Sequence, residues 1–124
     1  MREITFEQIA DTVERLCIQA ATILPESTAR AIENAALTEP SPAGKQALSD
    51  IIENFKYARV SGIPICQDTG VAVIFADVGQ EVHITGGLFN DAVNEGVRRG
   101  YENGYLRKSV VSDPFRRVNT DDNT

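Results

Sequence analysis

The sequence predicts an α+β fold: a helical N-terminal half followed by a small strand pair, one further helix and an irregular tail. Three observations carry that prediction. Apolar residues recur at three- and four-residue spacing from Ile9 to Ala58, in three separate stretches. After Gly70 the period changes to a short apolar run and then an alternating stretch, and from Leu88 to Tyr101 the helical spacing returns. Two strands are too few to make a stable sheet alone. Residues 1–124 are therefore expected to be a piece of a larger domain.

The first helix is announced by Thr5-Phe6-Glu7-Gln8, which has the form of a capping box, in which a hydroxyl and a side-chain amide satisfy each other's backbone N–H groups. Ile9, Val13, Leu16, Cys17, Ala20 and Leu24 then form its apolar stripe, and on that stripe Cys17 reads as a packed core cysteine. Pro25 is placed at the first helical position of a second helix, where a missing N–H costs nothing, and Ala29, Ile32, Ala35, Ala36 and Leu37 follow before Pro40 stops it. Ser41-Pro42 repeats the start signal for a third helix. Its apolar residues are Ala47, Leu48, Ile51, Ile52, Phe55 and Ala58, and Ser61-Gly62 marks its end.

Val71-Ala72-Val73-Ile74-Phe75-Ala76 with Val78 reads as a buried strand, and Glu81 to Thr85 alternates; the two are expected to pair through a turn at Gly79-Gln80. Leu88, Ala92, Val93, Val97 and Tyr101 predict a fourth helix that stops at Asn103-Gly104. Gly96 and Gly100 weaken it, at about 1 kcal/mol each relative to alanine. Tyr101 and Tyr105 are expected to pack the end of this helix, and Arg98-Arg99 and Arg116-Arg117 to decorate solvated faces. From Tyr105 onward no period is visible, so the tail reads as a frayed terminus or as a functional loop.

Charge and composition narrow the function classes. With 12 Lys and Arg against 18 Asp and Glu the net charge is −6, which disfavours capture of nucleic acid. No apolar run reaches the length of a membrane span and the N-terminus lacks the form of a signal peptide, so a cytoplasmic protein is expected. That compartment argues against a disulfide between the two cysteines, Cys17 and Cys66. A self-contained zinc site takes about four ligands. The chain, with one histidine (His83) and no C-x-x-C, does not supply it.

Cys66 stands apart. It lies in Pro64-Ile65-Cys66-Gln67-Asp68-Thr69-Gly70, a turn-prone stretch between a helix and a strand, where loops on rigid supports carry function. A thiol there can be a nucleophile, a redox thiol, an iron-sulfur ligand or an incidental structural cysteine. A nucleophile wants a base, for which only His83 is available; a redox thiol wants a resolving cysteine, for which only Cys17 is available. A cluster ligand wants further cysteines from distant segments. Asp68 admits two readings as well, a reactive carboxylate or an Asx turn with Thr69-Gly70.

The stretch Pro64 to Gly70 resembles the cluster-binding motif of iron-sulfur class I fumarases and the related L-tartrate dehydratase alpha subunits. The likeness continues in order through Gly86-Gly87, Asp91-Ala92-Val93, Glu95-Gly96-Val97, Tyr105-Leu106-Arg107-Lys108-Ser109 and Val118-Asn119-Thr120-Asp121-Asp122-Asn123-Thr124. It implies a hydro-lyase holding a 4Fe-4S cluster through three cysteines, with one iron open as a Lewis acid toward the hydroxyl of a small dicarboxylate such as malate. By the same resemblance Cys66 is a cluster ligand, Gln67 and Asp68 line the substrate pocket, Asp68 orients or protonates the departing oxygen, and Arg107 holds a substrate carboxylate. Arginine suits that task because its planar fork makes paired hydrogen bonds.

The remaining cluster ligands, the proton-abstracting base and part of the pocket are then expected from the rest of an alpha subunit and from a beta subunit or domain, in a homo- or hetero-oligomer, with the isolated chain inactive. Fumarate and malate are the expected pair, and L-tartrate the alternative. A non-catalytic assembly or docking module is the competing class.

Overall fold

The computed structural model describes residues 1–124. In chain order it contains β1 (Arg2–Thr5), α1 (Phe6–Thr22), α2 (Glu26–Thr38), α3 (Pro42–Ser61), β2 (Val82–Thr85) and α4 (Phe89–Asn103). The mixed architecture matches the α+β expectation. No helix is long and apolar enough to cross a membrane.

The capping box at the start of α1 forms in both directions. Thr5 Oγ1 accepts from the Gln8 amide at 3.2 Å, and the Thr5 amide donates to Gln8 Oε1 at 2.9 Å. Helix α2 begins one residue later than expected: Pro25 is its N-cap, with ψ at 140°, and its carbonyl accepts the first helical bond from Ala29 at 2.9 Å. Ser41 caps α3 by accepting from the Gly44 amide at 3.3 Å. Gly62 ends that helix at φ 70°, a left-handed conformation that glycine adopts without the penalty a Cβ brings, and donates to the Ala58 carbonyl at 2.9 Å. Helices α2 and α3 pack as a hairpin, with Lys56 and Glu33 paired across it at 3.0 Å.

Helices α1 and α4 form the principal pair. Ala10 and Val13 from α1 and Ala92, Val97 and Tyr101 from α4 are buried, joined by Leu106 just beyond. The two glycines that weakened the sequence case for α4 explain the closeness of this pair. A Cβ at Gly96 would stand 2.6 Å from both the Ala10 carbonyl oxygen and the Val13 Cβ, and one at Gly100 would stand 2.8 Å from the Cys17 Cβ. The helix gives up propensity so that the backbones can approach. Arg99 is not the solvated arginine of the sequence reading: it reaches Glu7 at 2.8 Å and Asp11 at 3.2 Å on α1, and Glu95 at 2.6 Å on its own helix.

The strand prediction fails in its pairing. β2 pairs in parallel with β1, in the register Arg2 to Val82 through Thr5 to Thr85, and not with the run before it. Residues 71–78 adopt no strand and make no backbone-to-backbone hydrogen bond. Val73 is 70% exposed and Phe75 94% exposed. An all-apolar strand is stable when both faces are covered and both edges paired. Here the N-terminal segment takes one edge of β2 and no further strand exists to receive residues 71–78. Tyr105 also departs from expectation, since it is exposed at φ 53° and packs nothing, while Leu106 takes the buried place.

The tail is ordered by local bonds that carry no period. Val111 and Asn119 form an antiparallel bridge, Ser112 donates its amide to the Val118 carbonyl at 2.8 Å, and Asp113 Oδ1 accepts from the Phe115 and Arg116 amides in the turn between them.

Candidate functional site

The loop from Gly62 to Gly70 is held from below at one residue. The Ile65 amide donates to the Ala21 carbonyl near the end of α1 at 2.9 Å, while the Ile65 carbonyl accepts from Asn54 Nδ2 of α3 at 2.8 Å. This fixes the backbone immediately before Cys66. Cys66 itself is exposed and its thiol is free, as is that of Cys17, so no disulfide joins them. The Asp68 amide points at Cys66 Sγ from 3.4 Å, which turns the loop back over the sulfur. Asp68 contributes only its amide to the loop, so the Asx turn does not form and the carboxylate stands exposed with Gln67.

The far end of the loop is tied to the segment that carries Arg107. Thr69 Oγ1 donates to the Arg107 carbonyl at 3.0 Å. The Tyr101 hydroxyl, at the end of α4, lies 3.1 Å from the Thr69 carbonyl and 3.0 Å from the Gly70 carbonyl, and its one hydrogen is shared between them. Burial raises the ionisation of this phenol above its ordinary range. Asn123, 4% exposed, donates from Nδ2 to the Gly70 carbonyl at 3.2 Å. Its Oδ1 accepts from the Ser109 and Val110 amides at 2.7 and 3.0 Å. Gly70 has φ 62° and turns its carbonyl toward these donors in a conformation that suits glycine.

Cys66, Gln67 and Asp68 are thus brought together on one loop, and the backbone of Arg107 is brought beside that loop. The Arg107 side chain is exposed and forms no ion pair with Asp68. His83 is exposed on β2, away from these bonds. Sequence reasoning missed Tyr101 and Asn123 as parts of this arrangement. For Tyr101 a signal existed, because a tyrosine on a buried helical stripe needs a partner for its hydroxyl. For Asn123 there was none, since its acceptor lies 53 residues away.

Beneath the loop is an apolar cavity of about 440 Å³ lined by Val13, Cys17, Ala72, Ile74, Tyr101 and Leu106 among others. Burial raises the Cys17 thiol above its ordinary ionisation, which makes it a poor thiolate source. No group of three or more Cys, His, Asp or Glu side chains in this chain is arranged to hold a metal ion. Tested against an iron-sulfur cluster, the donor set offers one exposed, unblocked sulfur at Cys66 and no second one beside it. The residues present do not by themselves make a site for such a group.

The family model described as fumarate hydratase (Fumerase) matches residues 10–124. A protein of Methanocaldococcus jannaschii assigned by name as an L(+)-tartrate dehydratase subunit alpha is 37% identical over 113 residues, covering 90% of this chain and 39% of that protein. The anaerobic class I fumarate hydratase of Escherichia coli K12 is 34% identical over 87 residues, covering 68% of this chain and 16% of that protein. A protein of Geobacillus stearothermophilus assigned by name as a class I fumarate hydratase is 31% identical over 120 residues, covering 94% and 22%. These matches set the chain among hydro-lyase sequences. It belongs to the fumarate hydratase family, and it spans well under half the length of these curated relatives.

Proposed function

We propose that the chain is one component of an iron-sulfur hydro-lyase that interconverts fumarate and (S)-malate, and that it is inactive alone. Residues 1–124 form the N-terminal portion of the alpha domain in this reading. Cys66 provides one sulfur ligand to a 4Fe-4S cluster whose other ligands come from polypeptide outside these residues. The observation that carries the reading is the build of the Cys66 loop: an exposed free thiol on a backbone pinned at Ile65, with Gln67 and Asp68 displayed beside it. A structural cysteine would be expected inside the core.

The roles follow from chemistry. Arg107 holds one substrate carboxylate by paired hydrogen bonds. Gln67 offers both donor and acceptor to the substrate, and Asp68 orients or protonates the departing hydroxyl oxygen. The base that removes the carbon-bound proton comes from the remainder of the alpha subunit or from a beta subunit. L-tartrate dehydration is the second reading, favoured by the 37% identity over 90% of the chain to the M. jannaschii subunit. The two substrates differ by a hydroxyl, a distinction that a site built to hydrogen-bond it can make strongly.

The test is a chimera in which this chain replaces the matching stretch of the M. jannaschii protein, expressed with a beta subunit and reconstituted anaerobically with iron and sulfide. We expect brown absorbance, bound iron and hydration of fumarate in the chimera, and none of them in the isolated chain. In the Cys66→Ala chimera iron content and activity should both collapse. Full activity in that variant sinks the ligand role, and turnover of tartrate without fumarate selects the second reading.

A further inference from the structure

The bonds around Gly70 join two stretches of chain that have no sequence relation: Cys66 to Gly70, which bears the thiol, and Arg107 to Val110, which bears the arginine. We infer that Tyr101 and Asn123 are positioning residues, which together with the Thr69 hydroxyl set the Cys66-Gln67-Asp68 loop against the Arg107 segment. This rests on the functional reading of Cys66, Asp68 and Arg107 given above, and it adds two residues that touch neither substrate nor cluster in that reading.

The geometry is specific. The Gly70 carbonyl has two lone pairs and receives two donors, the Tyr101 hydroxyl at 3.0 Å and Asn123 Nδ2 at 3.2 Å. Tyr101 carries the connection down into the α1–α4 core, because its ring is 3% exposed and its carbonyl accepts from the Leu106 amide at 3.0 Å, directly before Arg107. Asn123 carries it sideways, since the same amide group that holds Gly70 also accepts from Ser109 and Val110. Thr69 closes the ring of contacts by donating to the Arg107 carbonyl. Displacing either stretch breaks bonds to the other. The backbones that bear Cys66 and Arg107 are therefore held in a fixed relation although their side chains do not touch.

The experiment is amide hydrogen exchange by NMR on the 124-residue chain. The variants are Tyr101→Phe, which removes only a hydroxyl, and Asn123→Asp, which keeps the acceptor and removes the donor. Tyr101→Phe alters no bond to Ser109 or Val110 directly. We expect it nevertheless to speed exchange at both amides about fivefold, the size set by loss of one ordinary hydrogen bond, with α1 amides unchanged. Asn123→Asp should speed exchange at the Asp68 amide on the opposite stretch by a similar factor. A nitroxide on Cys66, in a Cys17→Ala background, supplies a second readout: it should broaden the amides of Arg107 to Val110 in the parent chain in a pattern set by their distances, and that pattern should change in either variant.

Acceleration confined to the residues each side chain touches would overturn the coupling. So would acceleration spread equally through α1, which marks loss of the fold as a whole. Failure of the functional reading is seen separately, as a chimera without hydratase activity while the exchange pattern stands.

Discussion

At the scale of single residues, Gly96 and Gly100 invert the ordinary rule that alanine stabilises a helix. Gly96→Ala would gain about 1 kcal/mol of helix propensity, yet its methyl would meet the Ala10 carbonyl oxygen and the Val13 side chain at 2.6 Å. A backbone carbonyl yields only if the helix moves, and overpacking of this kind costs about 1–3 kcal/mol. Urea unfolding of Gly96→Ala should therefore show a net loss of stability, and a gain would show that α4 is free to shift away from α1. Glu95 gives a residue-scale prediction in pH. Hydrogen bonds from Arg98 and Arg99 lower its carboxyl from the ordinary range to about 2. A carboxyl depressed in the folded state contributes stability that is present above the unfolded value near 4.5 and is lost as pH falls toward about 2. The thermal midpoint should fall across that window, and it should fall less in Glu95→Gln, which begins lower at neutral pH. Equal slopes would mean that the exposed partners are screened by solvent.

At the scale of elements, residues 71–78 are the instructive case. Their composition is that of a strand, with β-branched or aromatic residues at Val71, Val73, Ile74, Phe75 and Val78. All but the half-buried Ala72 nevertheless lie exposed, and none has a backbone partner. Their amides should exchange near the rate of unstructured peptide, and Phe75→Ser should leave the unfolding free energy within about 0.5 kcal/mol of the parent, as surface substitutions do. Strong protection of these amides in dilute solution would refute the exposed arrangement. The helices contrast with this because their signals are local. The Thr5 box, Ser41 and Gly62 each act within four residues, so their boundaries were legible in the sequence. The partner of β2 was not legible, because the choice between residues 71–78 and the N-terminal Arg2–Thr5 depends on which segment α1 delivers to its edge.

At the scale of the whole molecule, the exposed apolar surface decides behaviour. Val73, Phe75, Leu37 and Leu88 are each at least 70% exposed. An unpaired apolar segment is a template for association. Light scattering should show concentration-dependent association of the isolated chain at neutral pH, reduced in Phe75→Glu. A strictly monomeric chain at high concentration would overturn this account of the exposed segment.

The sequence by itself determined the four helices, the caps at Thr5, Ser41 and Gly62, the α+β class and the Cys66 motif, because each is written in spacings of a few residues. It also carried the family resemblance, which the family match over residues 10–124 bears out. Only the tertiary structure decided that β1 joins β2, that Gly96 and Gly100 serve the approach of α4 to α1, and that Tyr101 and Asn123 tie the Cys66 loop to the Arg107 segment. The physical reason is range. Caps and periodicities are satisfied within a turn of helix, whereas a carbonyl at Gly70 finds its donors 31 and 53 residues away, where packing of the whole chain has put them.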